Sequence, residues 1–286
     1  MNGFLNLYKP KGITSAHILN AVKKSLKGVP VGHMGTLDPL ASGVLPVAIG
    51  KSTRLFDYLL DKDKVYIATF EFGYQTTTLD LEGETEFTST YIPNLNEVLN
   101  ALKKLTGEIM QIPPIYSAKC VGGKKGYKLA RQGKQFELPP KKVLVNSIEL
   151  LEVLSEKSYK IKISCKGGTY IRSICRDIGL ICNSRATMTS LIREKSGIFS
   201  IENSVSAEDF VLSENKESFI IPPEIVVNYP EIRLTEEETT RLYNGLYDFF
   251  DYKDGIYSVF SPTEFYGVGE IKDNKLKVKA YIRDDK

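Results

Sequence analysis

The sequence predicts a mixed α/β fold, because its apolar residues follow the strand period in some stretches and the helix period in others. Residues 64–72 alternate strictly between two faces, which is typical of a strand. Residues 15–26 instead carry Ile18, Val22 and Leu26 at helical spacing, after a Thr or Ser that can cap a helix. With 286 residues and 42% hydrophobic residues, the chain can form a sizeable core, in one large domain or in one domain with a small appendage.

Further strands and helices alternate along the rest of the chain. In order, the pattern predicts a strand over 3–8, a strand over 44–49, a helix capped by Ser52 or Thr53 and ending at Leu60, a loop over 73–86, a helix over 95–105 capped by Asn94, paired strands over 143–153 and 159–165, and a helix begun by Thr169. Residues 201–225 are acidic and predict one more helix. Short alternating runs over 226–282 predict a small β appendage.

Composition excludes several classes of protein. No stretch approaches the roughly 18 uninterrupted apolar residues of a membrane span, and the N-terminus MNGFLNLYKPKG lacks the apolar core of a signal peptide, so we expect a cytoplasmic protein. The four cysteines form no C-x-x-C pair and are accompanied by only two histidines. We therefore expect reduced, structural cysteines and no metal site.

Positive charge is concentrated in the first part of the chain. Residues 1–200 carry 28 Lys and Arg against 17 Asp and Glu, whereas residues 201–286 carry 10 against 18. Within residues 116–142, eight basic residues stand against one acid, with three aromatic residues between them. This composition suits a phosphate backbone with unstacked bases, although a solvated loop would have the same composition. The basic residues are Lys119, Lys124, Lys125, Lys128, Arg131, Lys134, Lys141 and Lys142.

A single carboxylate, Asp38, stands in a loop bracketed by Gly35, Pro39 and Gly43, five residues after His33. Glycine permits tight backbone turns, and proline biases the residue before it toward an extended conformation, so the carboxylate should project from a rigid loop. Taken alone, this is an Asp-Pro turn in which the side chain caps its own backbone.

The run GHMGTLDPLASGVLP (32–46) closely resembles the signature loop of the TruB family of tRNA pseudouridine synthases, in which the aspartate is catalytic. Four other blocks resemble the family in the expected order, and together they cover about the first 200 residues. These blocks are LYKPKGITS (7–15), DKVY (63–66), QIPPIYSAK (111–119) and GTYIR (168–172).

The resemblance implies a pseudouridine synthase fold, with a large mixed, mostly antiparallel sheet and a central cleft. Residues 1–225 would form the catalytic domain, in which 116–142 is a thumb-like RNA-binding insertion. Residues 226–286 would form a small PUA-like β domain, whose short acidic sequence leaves its part in RNA binding open. The implied reaction converts uridine 55 in the tRNA T loop to pseudouridine.

Roles for individual residues also come from the resemblance. Asp38 would act as nucleophile or as base, and the sequence does not choose between them. Arg172 would orient Asp38, Tyr66 would stack on the uracil and accept the final C5 proton, and Leu191 would form the pocket wall beside Arg193. The implied substrate-binding residues are His33, which would fill the space left by the base, Leu191, Lys9, Lys119, Lys124, Lys125, Lys128, Arg131 and Tyr170.

The implied enzyme needs no cofactor, metal, guide RNA or protein partner, and it would bind the tRNA T arm as a monomer. Three other interpretations of the sequence remain. A nucleoside hydrolase or base glycosylase also breaks a glycosidic bond, although no second acid of matching specificity is evident. The basic segment alone fits a non-catalytic RNA-binding module or RNA-folding chaperone. A paralogous synthase could act on another RNA.

Overall fold

The computed structural model describes residues 1–59, 62–117, 120–121, 124–125, 136, 138–244 and 250–282, with only the backbone for 120–121 and 124–125. Up to residue 200 its elements are β1 (Gly3–Lys9), α1 (Ser15–Ser25), β2 (Val31–His33), β3 (Ser42–Ile49), a 3-10 helix (Gly50–Tyr58), β4 (Lys64–Phe72), β5 (Tyr74–Thr76), β6 (Thr85–Thr88), α2 (Leu95–Lys104), β7 (Gly107–Gln111), β8 (Cys120–Val121), β9 (Lys124–Lys125), β10 (Lys141–Val153), β11 (Ser158–Cys165), α3 (Ile171–Ile181), β12 (Ala186–Ser196) and β13 (Phe199–Ser200).

The remaining elements include two short 3-10 turns, Ile201–Asn203 and Lys216–Phe219. The helices and strands are α4 (Ala207–Leu212), β14 (Ile220–Ile221), α5 (Pro223–Val227), β15 (Glu231–Arg233), α6 (Glu236–Tyr243), β16 (Gly255–Phe260), β17 (Phe265–Lys272) and β18 (Lys275–Tyr281).

Ten of the described strands form one mixed sheet, whose main path runs β14-β1-β3-β12-β4-β11-β10-β7. Its neighbours are antiparallel except for β3 and β12, which run parallel with Arg193 opposite Gly43. This confirms the large, mostly antiparallel sheet that the resemblance implies. The parallel pair matters for function, because it brings the end of the Asp38 loop against β12.

Helices α1, α2 and α3 all pack on the face of the sheet that carries Tyr66. The apolar faces of α2 and α3 share one core with β4 and β11, whose alternate residues Phe70, Phe72 and Ile161 are buried. On the same face, α1 packs against β1 and β3 through the residues predicted from its spacing. Asn94 caps α2 in a complete capping box with Glu97, as the sequence predicts for the N-cap.

Three predictions about local structure are wrong. The segment after β3 is a 3-10 helix that begins at Gly50, because the Ser52 hydroxyl is buried and the Thr53 hydroxyl donates back to the Gly50 carbonyl rather than capping. Residues 73–86 are more than a loop, since they contain β5 and the first half of the paired β6. Helix α3 has Tyr170 as its N-cap residue, because the Thr169 hydroxyl donates to the Lys166 carbonyl instead.

The C-terminal residues form a separate four-stranded sheet in the order β15-β16-β17-β18, with α6 beside it. One side of this sheet has its own core, which includes Val259 and Tyr266. Its other side packs Phe265 and Val268 against the same cluster as Phe4 of the main sheet. None of the described helices is long and apolar enough to cross a membrane.

Candidate active site

Hydrogen bonds from residues 12–15, between β1 and the start of α1, hold the backbone of the Asp38 loop on both sides of Asp38. The Ser15 hydroxyl, at the start of α1, accepts from the Leu37 amide and donates to the Leu37 carbonyl, both at 2.9 Å. The Gly12 amide donates to the Pro39 carbonyl at 2.8 Å. Both neighbours of Asp38 are therefore fixed, while the Asp38 side chain itself keeps 35% of its surface exposed.

Lys9 supports the same loop from beneath and is not placed to contact RNA, because it is fully buried. Its ammonium donates to the carbonyls of Ile13 at 2.7 Å, Pro10 at 2.9 Å and Pro39 at 3.5 Å. Burial lowers the pKa of Lys9 to about 8, although the nearby Asp38 carboxylate opposes that shift. This corrects the expectation that Lys9 binds substrate.

Arg193 holds the two ends of the loop together. The residue is 1% exposed, and its guanidinium donates to the Val44 carbonyl at 2.7 Å and to the Gly35 carbonyl at 3.1 Å. Gly43 lies opposite Arg193 with φ +107°, and a Cβ there would collide with the Arg193 carbonyl. Glycine is thus required at residue 43 both by conformation and by space.

Gly43→Ala should therefore lower the free energy of unfolding by about 3 kcal/mol, from backbone strain and the collision together. Gly28→Ala is the matched control, since Gly28 also has positive φ but faces open space. The control should cost about 1 kcal/mol. Urea denaturation measures both, and equal losses would mean that the close approach to Arg193 carries no energy.

Asp38 pairs with Arg172, which projects from the first turn of α3. The Arg172 Nε lies 3.0 Å from Asp38 Oδ2, and the Arg172 side chain is 7% exposed. Its Nη1 donates to the Thr78 carbonyl at 2.8 Å and its Nη2 to the Tyr116 carbonyl at 3.0 Å. Asp80 Oδ2 lies 3.5 Å from Nη1. The planar fork is therefore held by partners on all its sides, as an arginine that aims a carboxylate must be.

Asp80 belongs to the same network of contacts, and the sequence pattern does not predict its place there. Its side chain is 2% exposed, and its Oδ1 accepts from the Thr78 hydroxyl at 2.6 Å and from the Glu82 amide at 3.0 Å. The acids of residues 73–86 have no ligand spacing, and Asp80 is distant in sequence from Arg172, so only the fold brings them together. The cleft thus contains Asp80 and Glu82 as further acids beside Asp38, and neither belongs to a recognisable motif in the sequence.

The surroundings tune the ionisable groups. Burial raises the pKa of Asp38, while Arg172 opposes this shift and Asp80 reinforces it. Burial also raises the pKa of Tyr66, against the opposing charge of Arg193, so the phenol is neutral near pH 7. Burial lowers the pKa of His33, and its Nδ1 is buried with no hydrogen-bond partner in the described part of the chain.

These side chains line one open cleft of about 1110 Å³. Tyr66 of β4 lies opposite Arg193 of β12, and Leu191 precedes Arg193 by two residues on β12. The two neighbouring strands therefore supply the aromatic ring of Tyr66 and the apolar wall of Leu191. His33 and Tyr170 also line the cleft. Among the described residues, no three His, Cys, Asp or Glu side chains come together in a way that could hold a metal.

The basic segment is only partly described. Lys124 and Lys125 form β9, which pairs with β8, but their side chains are not described. Lys119, Lys128 and Arg131 lie outside the described residues. Tyr116 and Ser117, which immediately precede this segment, line the cleft.

Solved structures share this fold. A chain of a Cbf5–Nop10–Gar1 complex is 25% identical, with a TM-score of 0.72 over 96% of this chain and 83% of its own. A chain of an H/ACA ribonucleoprotein bound to a substrate RNA containing 2′-deoxyuridine has a TM-score of 0.73 over 99% of this chain and 85% of its own, at 24% identity. The mixed sheet and its cleft thus define a protein of the pseudouridine synthase fold.

Sequence comparisons give the family. A family model described as TruB family pseudouridylate synthase (N terminal domain) matches residues 23–171, which include Asp38 and Tyr66. The chain belongs to the TruB family. Proteins named tRNA pseudouridine synthase B are 37% identical in Clostridium kluyveri and in Aquifex aeolicus, each over 99% of this chain and 100% of the relative. The protein of that name in Carboxydothermus hydrogenoformans is 44% identical over 86% of this chain and 85% of its own.

Proposed function

We propose that this protein isomerises uridine to pseudouridine at position 55 in the T loop of tRNA. The observation that carries the proposal is the Asp38–Arg172 pair, held rigidly in an open cleft beside Tyr66 and Leu191. Relatives named tRNA pseudouridine synthase B that align along nearly the whole chain support the choice of substrate.

The reaction breaks the bond between ribose C1′ and uracil N1, rotates the base and joins C1′ to C5. A C5 proton leaves and N1 gains one, so no atoms are gained or lost overall. One carboxylate can carry this chemistry, as a nucleophile that forms a covalent intermediate or as a base that removes a ribose proton. Either role requires Asp38 to be ionised, which Arg172 favours and burial opposes.

Tyr66, Leu191 and His33 would act on the base itself. The target uridine must first leave its stack, at a cost of a few kcal/mol. The buried Tyr66 ring and Leu191 offer flat and apolar surfaces for the extruded uracil. Tyr66 would accept the C5 proton on its phenolic oxygen while its own hydroxyl proton passes to water. His33, uncharged because burial lowers its pKa, would occupy the gap left in the RNA.

The domain assignments belong to the same proposal. Residues 1–225 would form the catalytic domain, 116–142 its RNA-binding thumb and 226–286 a PUA-like appendage. The separate C-terminal sheet with its own core supports this division. The enzyme would act in the cytoplasm on tRNA alone, as a monomer, without a guide RNA or a protein partner.

Tritium release tests the proposal. Purified protein should release tritium from tRNA labelled with [5-³H]uridine, without added metal or nucleotide, and a tRNA with cytidine at position 55 should release far less. Free uracil among the products would instead establish the hydrolase interpretation, which the presence of Asp80 and Glu82 in the cleft makes worth testing. Binding of tRNA with neither product would establish the chaperone interpretation.

Neutralising Lys124, Lys125 and Lys128 together as Gln should weaken tRNA binding and flatten its salt dependence. Each lost phosphate contact should reduce the slope of log K against log salt by about 0.7 to 0.9. The matched control neutralises Lys103, Lys104 and Lys157, which are exposed and do not line the cleft. Filter binding between 50 and 200 mM salt measures both slopes, and equal slopes would contradict the thumb assignment.

A further inference from the structure

The segment that leads into the basic insertion is bonded to the helix that carries Arg172. Gln111, the last residue of β7, begins this segment and is only 1% exposed. Its side-chain amide reaches the backbone of Tyr170, 59 residues away, with two hydrogen bonds. The Tyr170 amide donates to Gln111 Oε1 at 2.8 Å, and Gln111 Nε2 donates to the Tyr170 carbonyl at 3.1 Å.

Tyr170 is the N-cap residue of α3, and no side chain caps that helix locally. Helices normally satisfy their first amides with a nearby Ser, Thr, Asp or Asn, and fixing the N-cap fixes the direction in which the first turn projects. Here the local candidate, Thr169, is engaged with the Lys166 carbonyl. Gln111 instead anchors the N-cap residue Tyr170 itself, from another element, through both its backbone amide and its backbone carbonyl.

Further bonds continue the same contact along both segments. The Ile112 carbonyl accepts from the Ser173 hydroxyl at 2.9 Å and from Arg176 Nη2 at 3.0 Å. The Tyr116 carbonyl accepts from Arg172 Nη2 at 3.0 Å. Gln111, at one end of residues 111–116, thus holds the backbone just before Arg172. Tyr116, at the other end, holds the Arg172 guanidinium itself.

We infer that Gln111 is a positioning residue, which holds the N-terminus of α3 so that the Arg172 guanidinium meets Asp38. The inference rests on the proposed function, because it assigns no chemistry to Gln111. The side chain matches its two partners in kind, since one amide oxygen meets an N–H and one amide nitrogen meets a carbonyl. An apolar side chain of equal length would leave both Tyr170 groups without these partners.

The test compares Gln111→Met, Gln111→Asn and the control Asn6→Ala in tritium release. Methionine has the same length without the amide, and asparagine keeps the amide but is one methylene too short. Asn6 is a matched buried amide on β1 that donates to the Ser200 carbonyl, away from the cleft. Both Gln111 variants should lose kcat by about 10- to 100-fold, the usual effect of a small misplacement of catalytic groups. KM and the Kd for tRNA should stay within about threefold, and Asn6→Ala should keep kcat.

The pH profile separates positioning from plain loss of structure. Three charged side chains act on Asp38: Arg172, which belongs to α3, Asp80, which belongs to the segment between β5 and β6, and Lys9, which belongs to β1. Of these three, only Arg172 is held through Gln111. If α3 shifts, Asp38 loses the charge that favours its ionised form, so the acid limb of kcat should move to higher pH. An unchanged limb, or kcat within twofold of the parent in folded variants, would overturn the inference. Failure of the parent protein itself to release tritium would instead overturn the proposed function.

Discussion

Asp38→Asn should abolish tritium release, with a loss of at least about 10³-fold in kcat, while tRNA still binds within about threefold. Asparagine has nearly the same shape but can neither attack C1′ nor remove a ribose proton at neutral pH. The loop should keep its structure, because the backbone of Leu37 and Pro39 holds it and the Asp38 carbonyl still accepts from the Ala41 amide. Tritium release under single-turnover conditions measures the loss of rate, and filter binding measures the affinity for tRNA.

Glu82→Gln tests whether the reaction needs a second acid besides Asp38. Glu82 lines the same cleft, and burial raises its pKa, so it is the second acid that a two-carboxylate hydrolase would use. In an isomerase that works with one carboxylate, this variant should lose less than about tenfold in kcat. A loss comparable to that of Asp38→Asn, together with free uracil, would show that the chain is a hydrolase.

Much of the fold could be predicted from local patterns. Strand alternation over 64–72 and helical spacing in α1 are set by which side chains reach the core, and the structure confirms both. The wrong predictions of helix caps concern side chains that can bond to more than one nearby backbone group. Thr53 and Thr169 each bond back to a carbonyl three residues earlier instead of capping a helix. Ser and Thr compete for both kinds of partner, and sequence alone does not decide between them.

The site could be predicted only where its residues belong to one recognisable run or block. Asp38, Tyr66 and Arg172 each lie in such a stretch, and the structure brings all three to one cleft together with Leu191. Asp80 lies in a polar stretch that has no signature, and its contact with Arg172 depends on where a hairpin folds over the sheet. For Lys9 the local pattern points the wrong way, because a lysine beside a turn is usually exposed and this one is buried.

The network around Arg172 gives the last prediction, which concerns three charges that act together. Arg172→Gln should lower kcat by about 10²- to 10³-fold, because Asp38 loses the group that aims it and favours its ionised form. The sign of the pH effect follows, since removing the guanidinium raises the pKa of Asp38 further. Activity should then be lost at a higher pH as the solution is acidified.

Asp80→Asn should also lower kcat, by about tenfold or more, because the amide nitrogen would face Arg172 Nη1 where a carboxylate now lies 3.5 Å away. Asn Oδ1 can still accept from the Thr78 hydroxyl and the Glu82 amide, so the hairpin should keep its structure. If Asp80 acts only by holding Arg172, the double variant should be no slower than Arg172→Gln alone. Losses that multiply would instead mean that Asp80 acts on the reaction independently of the guanidinium, and the double-mutant cycle in kcat distinguishes the two.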